Sequence, residues 1–144
     1  INQRLKSIEI RKDLTDQWKL HHVEEGVQYA TLTDIIYQTW AGKTAKEYKQ
    51  FKGLKKENLR DNMTTLELVL NMLAEATTTE ISKQREPETF EENVAVAREG
   101  GEAAGIARKA VEERTGVPVI TTKNAAQLNH VVINLIEGIT EEDK

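Results

Sequence analysis

The chain contains no cysteine, only two prolines and eight glycines among its 144 residues. Without cysteine there are no disulfides, zinc-thiolate sites or thiol nucleophiles, which fits a reducing cytoplasm as the expected location. Two prolines leave few obligatory breaks, so long helices are permitted. No run approaches the roughly 18 apolar residues that a membrane span needs, and no signal-peptide pattern opens the chain. A membrane partner is therefore not expected. The familiar catalytic signatures are missing as well, with no HExxH, no Walker-type phosphate loop and no GxSxG. His21 and His22 are neighbours whose side chains diverge on a helix, and His130 stands alone on an amphipathic face. The acidic pairs Glu91/Glu92 and Glu112/Glu113 point apart for the same reason. No enzymatic activity, cofactor, metal or small-molecule substrate is expected.

What the chain does have is helix-forming residues in helical patterns, in a length suited to one domain that can bury roughly two thirds of its unfolded surface. Ile1, Leu5 and Ile8 share one helical face, continued by Leu14 and Trp18, which predicts a first helix of about 18 to 22 residues ending near His21 to Gly26. Because Ile1 already belongs to this pattern, the chain reads as part of a longer polypeptide. Thr31, with Asp34 three residues on, predicts the start of a second helix carrying Leu32, Ile35, Ile36 and Trp40, closed by Gly42. Thr44 with Glu47, Thr64 with Glu67 and Thr89 with Glu92 each match a capping box and mark three further starts. The helix from Thr64 carries Leu66, Val69, Leu70, Met72, Leu73 and Ile81 and is expected to be central and the most buried. A last helix from about Asn124 places Leu128, Val131, Val132, Leu135, Ile136 and Ile139 at helical spacing. Val117 to Thr122, interrupted by Pro118, is the one extended-looking stretch, an edge strand or a connector. The prediction is an all-α single domain over residues 1–144, with five to six helices and at most one short extended segment near 117–122.

Two features point toward function. Between Lys43 and Arg60 lie seven basic residues, Lys43, Lys46, Lys49, Lys52, Lys55, Lys56 and Arg60, against the two carboxylates Glu47 and Glu57. That stretch carries +5 where the whole chain carries −4, so the remainder carries −9. A segregated cationic strip with aromatics among its charges, here Tyr48 and Phe51, is the electrostatic footprint of a surface for nucleic acid or an acidic partner. The same pattern also suits an ordinary amphipathic helix with a lysine-rich wet face and two core aromatics. The second feature is Ala97, Gly101 and Gly105, small residues at four-residue spacing inside a long helix beginning at Thr89. Such a stripe lets another backbone approach closely, either within the fold or across a homodimer seam.

The run Gly53-Leu54-Lys55-Lys56, followed by Asp61, Met63, Glu67-Leu68, Asn71 and Thr77, resembles the DNA-damage-inducible protein D family. The earlier spacing agrees, with Arg11 and Leu14, then Gly26-Val27, Asp34, Trp40 and Gly42. The likeness covers roughly Ile8 to Lys83 well and the stretch to Leu128 loosely; Trp40-Ala41 replaces the family's usual aromatic-glycine pair. Similar segments occur in phage proteins in which a BRO-type antirepressor DNA-binding domain precedes such a helical region. The resemblance implies a bacterial or prophage regulatory protein of the DNA-damage (SOS) response that acts without catalysis, on DNA or on a recombinase-DNA filament. It also implies that these residues are the C-terminal part of a chain whose BRO-type domain lies upstream. A homo-oligomerisation domain that pairs such an upstream domain is the alternative expectation.

Overall fold

In the computed structural model, residues 2–125 are described, and they are helical with no strand among them. Helix α1 spans Asn2–Leu20, α2 Val27–Ala41, α3 Ala45–Phe51, α4 Thr65–Arg85 and α5 Phe90–Thr115, with a single 3-10 turn at Arg60–Asn62 before α4. The helix expected from about Asn124, with Leu128 through Ile139, lies outside the described residues, as does His130.

The helix ends follow local chemistry. Thr44 and Thr64 each form the complete reciprocal box, their hydroxyls accepting from the Glu47 and Glu67 amides while those carboxylates accept from the cap amides. At Thr89 only half of it forms: the hydroxyl accepts from the Glu92 amide, but the Glu92 carboxylate accepts from the amide of Glu88. Gly42 and Gly116 close α2 and α5 in the left-handed region, at φ +74° and +76°. Helix α2 begins five residues earlier than the Thr31 cap reading, after Gly26 at φ +88°, and Thr31 instead donates its hydroxyl to the Val27 carbonyl inside the helix. Glycine at that position has no side chain with which to announce a cap. Helix α4 ends at Glu86, a non-glycine held at φ +47°. Glu86→Gly is expected to stabilise the fold by about 0.5–1 kcal/mol, because the left-handed conformation costs an L side chain roughly 1–2 kcal/mol. A thermal midpoint unchanged or lowered by that substitution would contradict the assignment.

Packing is organised around α5. Gly100 meets α4, where a Cβ would come within 2.9 Å of the Thr78 Cα. Gly101 and Gly105 meet α2, where a Cβ would lie 2.7 Å from the Thr39 Cβ and 3.1 Å from the Thr39 carbonyl oxygen, respectively. Ala97 and Ala104 are fully buried in the same packing. The stripe of Ala97, Gly101 and Gly105 is thus a seam inside the molecule, and as a homodimer seam it is corrected: α2 already occupies the close approach. Helix α1 runs alongside α4 in the same direction, tied by Arg4–Asp61 near one end and Arg11–Glu75 further along. Leu14, Trp18, Leu32, Ile36, Tyr37, Trp40 and Tyr48 form the apolar centre, with Tyr37, Trp40 and Tyr48 in mutual ring contact.

Helix α4 reverses the expectation made for it. Of its predicted apolar residues only Leu70 is buried; Met72 and Ile81 are half-buried, and Leu66, Val69 and Leu73 are exposed. Its inward face is mostly polar, with Glu67, Asn71, Glu75, Thr78, Thr79 and Ser82 beside Leu70 and Ala74. Leu5 and Ile8 of α1 are likewise exposed, and Ser7 is the buried residue of that half-turn. The stretch 117–122 is a connector, with Val119 and Ile120 buried and Pro118 exposed.

Candidate nucleic-acid interface

The fold divides the seven cations of the strip. Lys52, the C-cap of the short helix α3, points inward with its side chain 0 % exposed. Its ammonium group donates to Glu67 Oε1 at 2.8 Å and to the Thr121 and Lys123 carbonyls at 2.9 and 2.5 Å, so all three N–H groups are used. The Tyr48 hydroxyl donates to the other Glu67 oxygen. Burial, and then that bond to the carboxylate, hold the Tyr48 phenol far above its ordinary value of 10. Lys52 is therefore a structural clamp between α3, α4 and the connector, and as a contact for an external polyanion it is corrected.

Arg60 is also largely spoken for. Its Nη2 pairs with Glu75 Oε2 at 2.5 Å and its Nη1 donates to the Ser7 hydroxyl at 3.1 Å, with the side chain 20 % exposed. Burial works against the guanidinium charge, but the facing carboxylate outweighs it and raises the Arg60 pKa. Arg11 reaches the same Glu75 oxygen at 3.0 Å and donates to Thr33 at 2.8 Å. Asn71, which accepts from the Trp40 indole at 3.3 Å, lies between Glu67 and Glu75 on α4. One helical row thus supplies acceptors to Lys52, Tyr48, Trp40, Arg60 and Arg11. These partners escaped the sequence reading because Glu67 and Glu75 look like ordinary solvated carboxylates. The signal that could have found them is spacing: Glu67, Asn71 and Glu75 recur every four residues, flanking Leu70 and Ala74.

The other five cations remain at least partly exposed. Lys46, Lys55 and Lys56 are exposed; Lys43 and Lys49 are half-buried. Among the described residues none of the five has an ion-pair partner. The two local carboxylates are engaged with backbone. Glu47 accepts from the Thr44 amide at 2.9 Å and Glu57 from the Lys55 amide at 2.7 Å. Those bonds hold both carboxyls below their usual range, with Lys43 adding to the effect at Glu47 and Lys49 and Lys55 at Glu57. Five ammonium groups against two anions leave a surface of +3, smaller than the +5 of the linear strip. Phe51, 39 % exposed, lies under the Lys43 ammonium at 4.5 Å, so one aromatic is available at the rim while Tyr48 is core. Lys49 also borders an open recess of about 240 Å³ shared with Arg11, Arg60 and Asn58.

Elsewhere the described residues hold no group of three or more His, Cys, Asp or Glu side chains placed to share a metal ion, and no helix long and apolar enough to cross a membrane. Glu112 accepts from Arg108 and from the Val119 amide, so it helps seat the connector. Comparison of the chain with family models, with curated proteins and with solved structures finds no match in any of the three.

Proposed function

We propose that this chain is a non-enzymatic, nucleic-acid-binding regulatory module whose contact surface is Lys43, Lys46, Lys49, Lys55 and Lys56. One observation carries the reading. These five cations lie at least partly exposed with no ion-pair partner among the described residues, while the two acids of the strip are committed to backbone amides. Lysine offers a point charge without the forked donor geometry that reads guanine, so the contacts suit phosphates and position the nucleic acid without specifying its sequence. Phe51 at the rim gives one platform for an unstacked base, which favours single-stranded over duplex substrate. Residues that carry the likeness to the DNA-damage-inducible protein D family have structural duties here. Gly53 turns at φ +71°, Leu54 is core, and Glu67 and Asn71 anchor the polar row. The likeness supports a role in a damage-inducible or prophage antirepressor-like protein acting on DNA or on a recombinase-DNA filament.

Titration of single-stranded and duplex oligonucleotides tests this. With about four phosphates neutralised, affinity is expected to fall roughly 100-fold between 50 and 200 mM salt. Replacing Lys46, Lys49 and Lys55 one at a time by glutamine should flatten the salt slope by about 0.7–0.9 each. Binding that ignores salt, or a slope indifferent to these substitutions, would reject phosphate contacts by these lysines.

A further inference from the structure

The open recess of about 240 Å³ beside Lys49 is lined by hydrogen-bond donors from several parts of the chain. Arg11 of α1 and Arg60 of the 3-10 turn border it, with side chains 27 % and 20 % exposed. Both hold the same Glu75 oxygen, so two guanidinium groups share one buried carboxylate. Arg11 spends one further N–H on Thr33 and Arg60 one on Ser7, which leaves most of the five N–H donors of each guanidinium unspent. Lys49 adds a third cation to the lining. Asn58 borders the recess too, and because its Oδ1 accepts from the Asp61 amide, its NH2 group is left to donate. The next carboxylates, Asp34 and Glu57, do not border the recess, and each is held by a backbone amide, that of Ala45 at 3.0 Å and that of Lys55 at 2.7 Å.

Tyr37 indicates what such a recess would hold. The residue is 4 % exposed and its ring packs against Trp40 and Tyr48, yet its hydroxyl has no hydrogen-bond partner among the described residues and is not sealed from the recess that it borders. Burial pushes the phenol up to about 12, with the Arg60 charge pulling it down, Glu75 pushing it up and Arg11 pulling it down. At neutral pH it is therefore an O–H donor close to both guanidinium groups. Buried polar groups are nearly always paired, and the partner that satisfies this one must be an acceptor lying in the recess. We propose that the recess is a phosphate site that takes a phosphate monoester, supplied by the end of a nucleic-acid strand or by a free phosphate ester. A monoester carries about −1.5 to −2 charges at neutral pH and three acceptor oxygens, which suits three cations and a hydroxyl better than an internal phosphodiester with its single charge. At about 240 Å³ the recess is below the roughly 300–1,000 Å³ of a pocket that encloses a whole small molecule, so it accommodates the phosphate group while the rest of the ligand stays outside. The site stands on the donors that line it; a strand as the source of the phosphate rests on the lysine surface proposed above, to which Lys49 also belongs.

Nitrogen NMR of the Arg11 and Arg60 Nε–H signals during addition of inorganic phosphate tests the site, and fluorescence anisotropy compares single strands of one sequence that end in phosphate or in hydroxyl. Both arginine signals are expected to shift with phosphate. The phosphate-ended strand is expected to bind roughly tenfold more tightly, the factor that one hydrogen bond to a charged group supplies. Tyr37→Phe is expected to weaken phosphate binding roughly tenfold and to remove most of the preference between strands. The thermal midpoint should stay where it was, because that hydroxyl holds nothing in the fold. Lys49→Gln should weaken phosphate as well, whereas Lys56→Gln, at a lysine that does not border the recess, should not. Shifted arginine signals with strands of either end bound alike would keep the site, assign it to a free phosphate ester and reject the strand as its source. Arginine signals that ignore phosphate, or a phosphate affinity indifferent to Tyr37→Phe, would overturn the proposal, whatever the salt titration shows for the lysine surface.

Discussion

Lys52→Met is expected to destabilise the protein by about 3–5 kcal/mol, because it leaves Glu67 as a buried carboxylate without its cation. The substitution also removes the ammonium donor to the Thr121 and Lys123 carbonyls, leaving the Asn124 side chain on the residue-52 carbonyl to hold the connector to the end of α3. Against a total stability on the order of 5–15 kcal/mol, such a loss is a large fraction. Urea denaturation measures it as a shift of midpoint. Adding Glu67→Gln is expected to recover a large part, since the amide oxygen can still accept from the Thr64 amide and the amide NH2 can donate to the Tyr48 oxygen, while the uncompensated charge is gone. An exposed lysine would behave otherwise: its removal would cost well under about 1 kcal/mol, and the second substitution would help nothing. That outcome would place Lys52 back among the surface cations.

Gly101→Ala and Gly100→Ala provide the second large effect, and here two principles oppose each other in sign. Helix propensity alone favours alanine by about 1 kcal/mol at an interior position. Against this, the new methyl would stand 2.7 Å from the Thr39 Cβ at Gly101 and 2.9 Å from the Thr78 Cα at Gly100, distances that require the helices themselves to move apart. Overpacking of this kind costs typically 1–3 kcal/mol, more where backbone must shift, so both variants are expected to melt several degrees lower despite the better helix former. Gly105→Ala is the milder member of the series, since its nearest neighbour is the Thr39 carbonyl oxygen at 3.1 Å and the next atom lies at 3.6 Å. Differential scanning calorimetry on the three variants gives the order. If alanine at 100 and 101 raised the midpoint, or changed only the association state, the stripe would not be an internal contact between α5 and its neighbours.

The helical architecture was legible because it rests on local rules. The Thr44 and Thr64 boxes, the closing glycines 42 and 116, and the break at Pro87 all act within four residues of themselves. The start of α2 was missed for a local reason too, since Gly26 caps without a side chain. The interior of α4 was illegible for a different reason. Leu66, Val69 and Leu73 satisfy helical periodicity as well as any core face does, and only the partners on α1, α2 and α3 decide that Glu67, Asn71 and Glu75 point inward instead. Those partners include Arg11, 64 residues from Glu75 in sequence, and no periodicity within one helix contains that information. The candidate surface was partly legible. Lysines 43, 46, 49, 55 and 56 stayed outside, whereas Lys52 differs from Lys49 only by its place on the circumference of α3 next to Tyr48. A count of charges along the strip cannot make that distinction.

Amine-reactive footprinting of the folded protein, read by mass spectrometry with and without a single-stranded oligonucleotide, tests the central division of the strip most directly. Lys43, Lys46, Lys49, Lys55 and Lys56 are expected to react readily in the free protein and to be protected when the oligonucleotide is bound. Lys52 should stay unreactive in both states and become reactive only on unfolding. Lys52 modified as fast as Lys56 in the folded chain, or nucleic acid bound with all five outer lysines still reactive, would contradict the account.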